Sequence, residues 1–162
     1  MNNIHAVDDF FSNEIREVIF DKLLQPKWSF SGGGDGNVFW HYDFLEKEEY
    51  FSTYLYNLIC TKLGRKFKNI LRIYANGQTA GQCGNPHMDD GDVTILYYPN
   101  PDWQMDYHGH LIFSGDGNSP THIIEYKPDR MVMFPSKLVH YSEAPHRFYQ
   151  GLRISLAYKL EV

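Results

Sequence analysis

After Lys68 the chain is broken at short intervals by turn signals, and this punctuation constrains its fold more than any other feature. Asn76-Gly77, Pro99-Asn100-Pro101-Asp102, Gly115-Asp116-Gly117-Asn118, Lys127-Pro128-Asp129, Pro135-Ser136 and Ala144-Pro145 gather residues that supply turn dihedrals or forbid helix. The segments between them are short and rich in β-branched and aromatic side chains, which suits strands. Residues 70–75, 86–89, 93–98, 109–114, 121–126, 130–134, 138–143 and 152–159 are the eight expected.

The first third reads differently. Residues 4–7 make a short strand, and Asp8 or Asp9 offers an N-cap to a first helix. Phe10, Phe11, Ile15, Val18, Ile19, Leu23 and Leu24 recur there at helical spacing until Pro26 ends it. Two further strands, 28–30 and 38–42, flank the Gly-rich loop 31–37. That loop lacks the Lys-Ser/Thr ending of a phosphate cradle and reads as a turn. A second helix runs from Glu46 to Leu63 with an apolar stripe of Tyr50, Phe51, Tyr54, Leu55, Leu58, Ile59 and Leu63, closed by Gly64. Helices followed by strands predict an α+β, mainly β chain whose strands form a two-sheet roll. The 162 residues read as one domain, with helical support over 1–67 and the roll over 68–162.

Composition bounds the partners. Apolar residues make up 43% and aromatics 16%, enough for a core built on large rings. A net charge of −5 provides no overall field for nucleic acid or anionic lipid, so neither is an expected partner. Cys60 and Cys83 make no metal-type spacing, which fits a reducing compartment. With no signal-like or membrane-length apolar run, the expectation is a cytoplasmic protein.

The chemistry gathers at Asn85-Pro86-His87-Met88-Asp89-Asp90. In an extended segment side chains two apart share a face, so His87 and Asp89 point together. Two histidines and a carboxylate that leave positions open suit non-haem Fe(II). The second histidine is expected from a distant strand, with His140 the candidate, and an apolar run carrying Arg153 follows it. The dipeptide spacing alone says little. With 8 His and 20 acidic residues, about one His-x-acid match arises by chance, and His41-Tyr42-Asp43 is a second match. Context separates them: His87 is followed by strands, a distal His and a strand Arg, whereas His41 precedes a helix. His108-Gly109-His110 has the His-x-His of small metal-binding barrels but lacks the glutamate expected soon after.

These pieces, in order, resemble the Fe(II)- and 2-oxoglutarate-dependent oxygenases, and within them the prolyl-4-hydroxylase-like branch. The resemblance covers about Leu71 to Leu160. It rests on Arg72-Ile73-Tyr74, His87-Met88-Asp89, Val93-Thr94-Ile95-Leu96-Tyr97-Tyr98, Gly109-His110-Leu111-Ile112-Phe113, His140 and Arg153-Ile154-Ser155. It implies a double-stranded β-helix (jelly roll) with helices backing the larger sheet. It also implies a dioxygenase using Fe(II), 2-oxoglutarate and O2, with ascorbate as auxiliary reductant. His87, Asp89 and His140 would hold the iron. Arg153 would take the far carboxylate of 2-oxoglutarate, a role that suits the rigid guanidinium fork, and Arg147 or Arg72 are the next candidates. Ser155, Tyr74 and Tyr98 would add hydroxyl donors.

Collagen-type prolyl hydroxylases often carry Lys where this chain has Arg153, and His110 stands where Gly-Gly-Glu is common. The expected reaction is hydroxylation of an unactivated C–H bond in a peptide or small molecule, with a prolyl residue or free proline as substrate. Hydroxylation of another amino acid or oxidative demethylation is the alternative. A non-catalytic jelly roll that binds a small acid or partner is the alternative from another class. A zinc hydrolase fits the ligands but has no use for Arg153. The loop 76–84 and the rings of Trp103 and Tyr107 are expected to wall the substrate groove.

Overall fold

Ten antiparallel strands among the described residues organise the protein. The computed structural model describes residues 4–32, 38–115 and 119–162. Most of the turn expected at 115–118 and most of the Gly-rich loop 31–37 lie outside them. The strands are β1 (His5–Val7), β2 (Ser29–Gly32), β3 (Val38–Tyr42), β4 (Asn69–Gln78), β5 (Val93–Tyr97), β6 (Leu111–Ser114), β7 (Pro120–Ile124), β8 (Met131–Pro135), β9 (His140–Ser142) and β10 (Arg153–Glu161). Two helices, α1 (Asn13–Leu23) and α2 (Tyr56–Leu63), belong to the first third.

A seven-stranded sheet has the order β1-β8-β5-β10-β4-β3-β2 and a three-stranded sheet the order β7-β6-β9. Every described pairing is antiparallel. Seven of the eight expected roll segments appear as strands, and 86–89 is reduced to one bridge between His87 and His140. Pro86 has no N–H to give a ladder, and the Asp89 N–H goes instead to Ser136 O at 2.8 Å.

Two cores follow from the period of two. On β10, Ile154, Leu156, Tyr158 and Leu160 join Ile95, Tyr97, Met131, Met133, Ile19, Phe51, Leu55 and Ile59 in the layer between large sheet and helices. Tyr98, Leu111, Phe113, Tyr126, Val132 and Phe134 form the second core. Arg153, Ser155, Ala157 and Lys159 take the other parity of β10, away from the helices, as the alternation predicts.

Three local expectations need correction. Ser12, rather than Asp8 or Asp9, takes the N-cap position of the first helix, without a side-chain cap hydrogen bond. Phe10 and Phe11 are tied to the sheet instead: Phe10 N–H donates to Asp129 O at 3.1 Å and Phe11 N–H to the Asp129 carboxylate at 3.0 Å. Both rings are buried there, and those contacts outweigh helical spacing.

The expected helix 46–63 is three pieces: a 3-10 turn at Leu45–Lys47, a π-helical turn at Tyr50–Leu55, and α2. Residues four apart drift by about 40° on an α-helix, so the wide turn helps keep Phe51, Leu55 and Ile59, all buried, facing the sheet. Gly64 ends α2 at φ 61°, as expected of a left-handed cap.

Asn76-Gly77 is not a turn but the end of β4, which shortens the loop before His87 to residues 79–84. Gly77 pairs with Ile154 and Trp40. A Cβ at Gly77 would lie 2.8 Å from Leu152 and 2.9 Å from Trp28, so here glycine serves close packing.

Candidate metal and cosubstrate site

The bridge between His87 and His140 brings distant parts of the chain into register. His87 N–H donates to His140 O at 3.0 Å and His140 N–H to His87 O at 2.9 Å, which sets the imidazole centroids 4.6 Å apart. Asp89 is anchored by its N–H on Ser136 O and by its carbonyl, which accepts from Lys137 Nζ at 3.0 Å. One ligand atom from each of His87, Asp89 and His140 then falls within 4.8 Å of the others. Among the described residues this is the one such group. His41 stays apart on β3, paired with Ser29 and Asn76.

Both histidines are prepared as ligands. His87 Nδ1 lies 2.7 Å from Asn85 O and His140 Nδ1 lies 2.8 Å from Leu138 O. Each carbonyl can only accept, so each Nδ1 carries a proton and Nε2 is the atom that would give up its proton to a metal. Those Nε2 atoms face the carboxylate, at 3.5 Å from Asp89 Oδ1 for His87 and 3.2 Å from Oδ2 for His140. Burial alone would raise the Asp89 carboxyl, but His140, His87 and the Lys159 ammonium hold it well below the usual carboxylate range. The Asp89 carboxylate in turn raises His87.

Arg153 is 1% exposed and has no ion pair among the described residues. Its Nε donates to Gly109 O at 2.7 Å and its Nη1 to Gln78 Oε1 at 2.9 Å, while its guanidinium lies 4.8 Å from the Tyr126 ring centroid and 5.6 Å from that of Tyr98. A charge at this depth without a carboxylate is costly, and burial pushes its pKa down. A Cβ on Gly109 would come within 2.9 Å of the Arg153 side chain, so glycine makes room for it. The Tyr98 hydroxyl is fully buried without a hydrogen-bond partner among the described residues, as is Ser114 Oγ, and burial raises the phenol to about 12. A buried guanidinium beside an orphan phenol fits a small carboxylate.

The other expected residues fall at several depths. Ser155 is buried two residues along from Arg153. Tyr74 is half-buried, with Lys159 Nζ 5.7 Å from its ring centroid. Trp103 packs on Tyr126 at 4.2 Å and Tyr149 at 4.4 Å, and its Nε1 donates to His108 O at 3.0 Å. Tyr107 packs edge-on against Trp103. Arg72 pairs at the surface with Asp90, and exposed Arg147 lies over the Phe148 ring. His110 plays a structural part. Its Nδ1 accepts the Tyr126 N–H at 3.2 Å, and burial lowers its pKa, which favours that neutral acceptor.

Lys159, Thr94, Gln78 and Tyr126 were not singled out from the sequence. Lys159 was accessible, because it shares the parity of Arg153 and Ser155 in an apolar strand. The others depend on cross-strand register that no local pattern carries.

No protein-family model and no curated protein sequence matches the chain. Solved structures do. A prolyl hydroxylase from Trichoplax adhaerens, in complex with a hypoxia inducible factor oxygen degradation domain peptide, matches at TM-score 0.70 and 17% identity, covering 99% of this chain and 84% of that one. A prolyl-4-hydroxylase from Pseudomonas putida matches at TM-score 0.72 and 15% identity over 99% and 93%. HygX from Streptomyces hygroscopicus, with nickel and 2-oxoglutarate bound, matches at TM-score 0.68 and 11% identity over 98% and 83%. The chain therefore has the expected jelly-roll fold with supporting helices. No helix among the described residues is long and apolar enough to cross a membrane.

Proposed function

We propose that this chain is an Fe(II)- and 2-oxoglutarate-dependent oxygenase that hydroxylates an unactivated C–H bond, with a prolyl residue in a peptide, or free proline, as substrate. The observation that carries the reading is the pairing of two features in one roll. A His-Asp-His group stands on a strand bridge, and on β10 a buried arginine with no ion pair among the described residues lies beside a phenol that has no hydrogen-bond partner among them.

His87, Asp89 and His140 would hold the metal through two neutral Nε2 atoms and one carboxylate. Arg153 would receive the far carboxylate of 2-oxoglutarate, with Tyr98 and Ser155 as hydroxyl donors. Such a metal with 2-oxoglutarate supplies O2 activation coupled to decarboxylation of the cosubstrate. The protein's own residues orient and exclude. The Tyr98–Tyr126 stack at 4.3 Å and the second core keep water from the cosubstrate.

The peptidyl-proline reading is supported by the prolyl hydroxylases among the structural matches and by the aromatic group Trp103, Tyr107 and Tyr149. Trp103 is held from several sides, so it would serve as a rigid wall of the groove opposite loop 79–84.

The test is an anaerobic absorption spectrum of metal-free protein supplied with Fe(II) and then 2-oxoglutarate. Chelation through two oxygens gives a weak visible charge-transfer band. The expected band appears only when both are present and is lost in His140→Ala. A protein that takes up Fe(II) but develops no band would contradict the reading.

A further inference from the structure

Lys159 is 2% exposed, on the same face of β10 as Arg153. A lysine at that depth needs a defined partner. Its Nζ hydrogen-bonds Asp89 Oδ2 and lies 3.3 Å from Thr94 Oγ1. Thr94 Oγ1 donates to the same Oδ2 at 2.7 Å and lies 3.0 Å from Ser136 Oγ. One oxygen of the Asp89 carboxylate thus has an ammonium and a hydroxyl on it, besides His140 Nε2 at 3.2 Å. The other, Oδ1, faces only His87 Nε2 among the described residues, at 3.5 Å.

We propose that Lys159 is a positioning residue of the metal site: with Thr94 it holds Asp89 Oδ2, so that a divalent metal is offered Oδ1 alone. The inference rests on the oxygenase reading and deepens it. A free carboxylate can ligate through one oxygen or both. Ligation through both would take a position that a cosubstrate chelating through two oxygens, together with O2, requires. Two donors of different kinds on one oxygen oppose that second bond, because the metal would have to displace an ammonium buried with no other acidic partner among the described residues.

The test uses metal-free wild type, Lys159→Met and Thr94→Val, each titrated with cobalt(II) and then with 2-oxoglutarate under nitrogen. Cobalt absorption reports the ligand geometry, and calorimetry reports cosubstrate affinity. In Lys159→Met the cobalt spectrum should change and 2-oxoglutarate should bind about tenfold more weakly, a common loss when a metal ligand's partner is removed. Thr94→Val should shift both readouts the same way by less, and it decides the matter by those readouts if Lys159→Met does not fold.

An unchanged spectrum and cosubstrate affinity, with only the melting temperature lowered, would make Lys159 a mere charge partner and overturn the proposal. Tighter cobalt binding with an unchanged spectrum would show an ammonium that competes with the metal, which overturns it equally. Wild type that binds neither cobalt nor 2-oxoglutarate sinks the oxygenase reading itself. Wild type that binds both, beside variants that behave identically, sinks only the clamp.

Discussion

The two faces of β10 are buried to the same degree and do opposite work. Ile154, Leu156, Tyr158 and Leu160 are at most 1% exposed, and the one polar atom among their side chains, the Tyr158 hydroxyl, donates to Phe51 O at 3.0 Å. Arg153, Ser155, Ala157 and Lys159 are at most 5% exposed, yet two of the four are cations. Depth alone therefore does not mark a site. What marks it is buried polarity that the described residues leave partly unanswered: a guanidinium without an ion-paired carboxylate, and beside it, just past β5, a phenol without a hydrogen-bond partner. The helix-side face is constrained by volume and tolerates apolar exchange, while the other is constrained by donor geometry.

The largest expected effect tests the polar face. Arg153→Leu removes a charge-assisted contact from a dry pocket, a loss on the order of 2–5 kcal/mol, or about thirtyfold to several thousandfold in 2-oxoglutarate affinity. Cobalt binding and the melting temperature should change far less, since a buried unpaired cation contributes little to folding. Calorimetry on cobalt-loaded protein is the measurement, and unchanged affinity would move the carboxylate site away from β10. Leu156→Ala is the complementary experiment on the helix-side face. It opens a cavity at a fully buried position and should lower unfolding free energy by about 3 kcal/mol, read by denaturant titration. Cosubstrate affinity of the folded protein should stay as it was. If both variants lose both properties, the two faces are not separable.

The contrast also accounts for what the sequence could reveal. Parity in β10 was legible because strands alternate strictly, so an arginine and a serine two apart had to share a face. His87 and Asp89 were legible as a pair two residues apart even though 86–89 keeps a single bridge rather than a strand, and His140 from its place before β10. The candidate metal group needed only local spacing plus one long-range pairing. The first helix start was not legible, because the signal that displaces it, the Asp129 carboxylate on the Phe11 N–H, comes from 118 residues away. Asn76-Gly77 was misleading for a related reason. The pair usually makes a turn, but packing of Trp28 and Leu152 over Gly77 keeps it in a strand. The partner of Lys159 was hidden because it depends on β10 pairing with β5 and on where Asp89 hangs beside them.

The smallest effect is expected at the edge of the large sheet, where a surface ion pair is disturbed rather than either buried face of β10. Asp8 follows β1 and accepts from Arg130 Nε at 2.6 Å, Arg130 Nη2 at 3.1 Å and Lys127 Nζ at 2.7 Å. Those cations, Arg130 first, hold the Asp8 carboxyl down at about 2 against an ordinary 3.8. Because the folded value is the lower one, the stabilisation is complete above the ordinary value and is lost as pH falls from there through about 2. The shift corresponds to a little over 2 kcal/mol at most. Since the Asp8 side chain is 34% exposed, solvent screening reduces that to about 1 kcal/mol. Asp8→Asn should therefore lower the melting temperature by a few degrees at neutral pH. The gap to wild type should close as both are taken from pH 4 towards pH 2. The residue touches neither the metal group nor Arg153, so 2-oxoglutarate affinity at neutral pH should be that of the wild type. A gap that persists at pH 2 would mean that Asp8 contributes through packing rather than charge. A change in cosubstrate affinity would mean that the sheet edge and the site are coupled through β8 and β5, and that the two faces of β10 answer to each other after all.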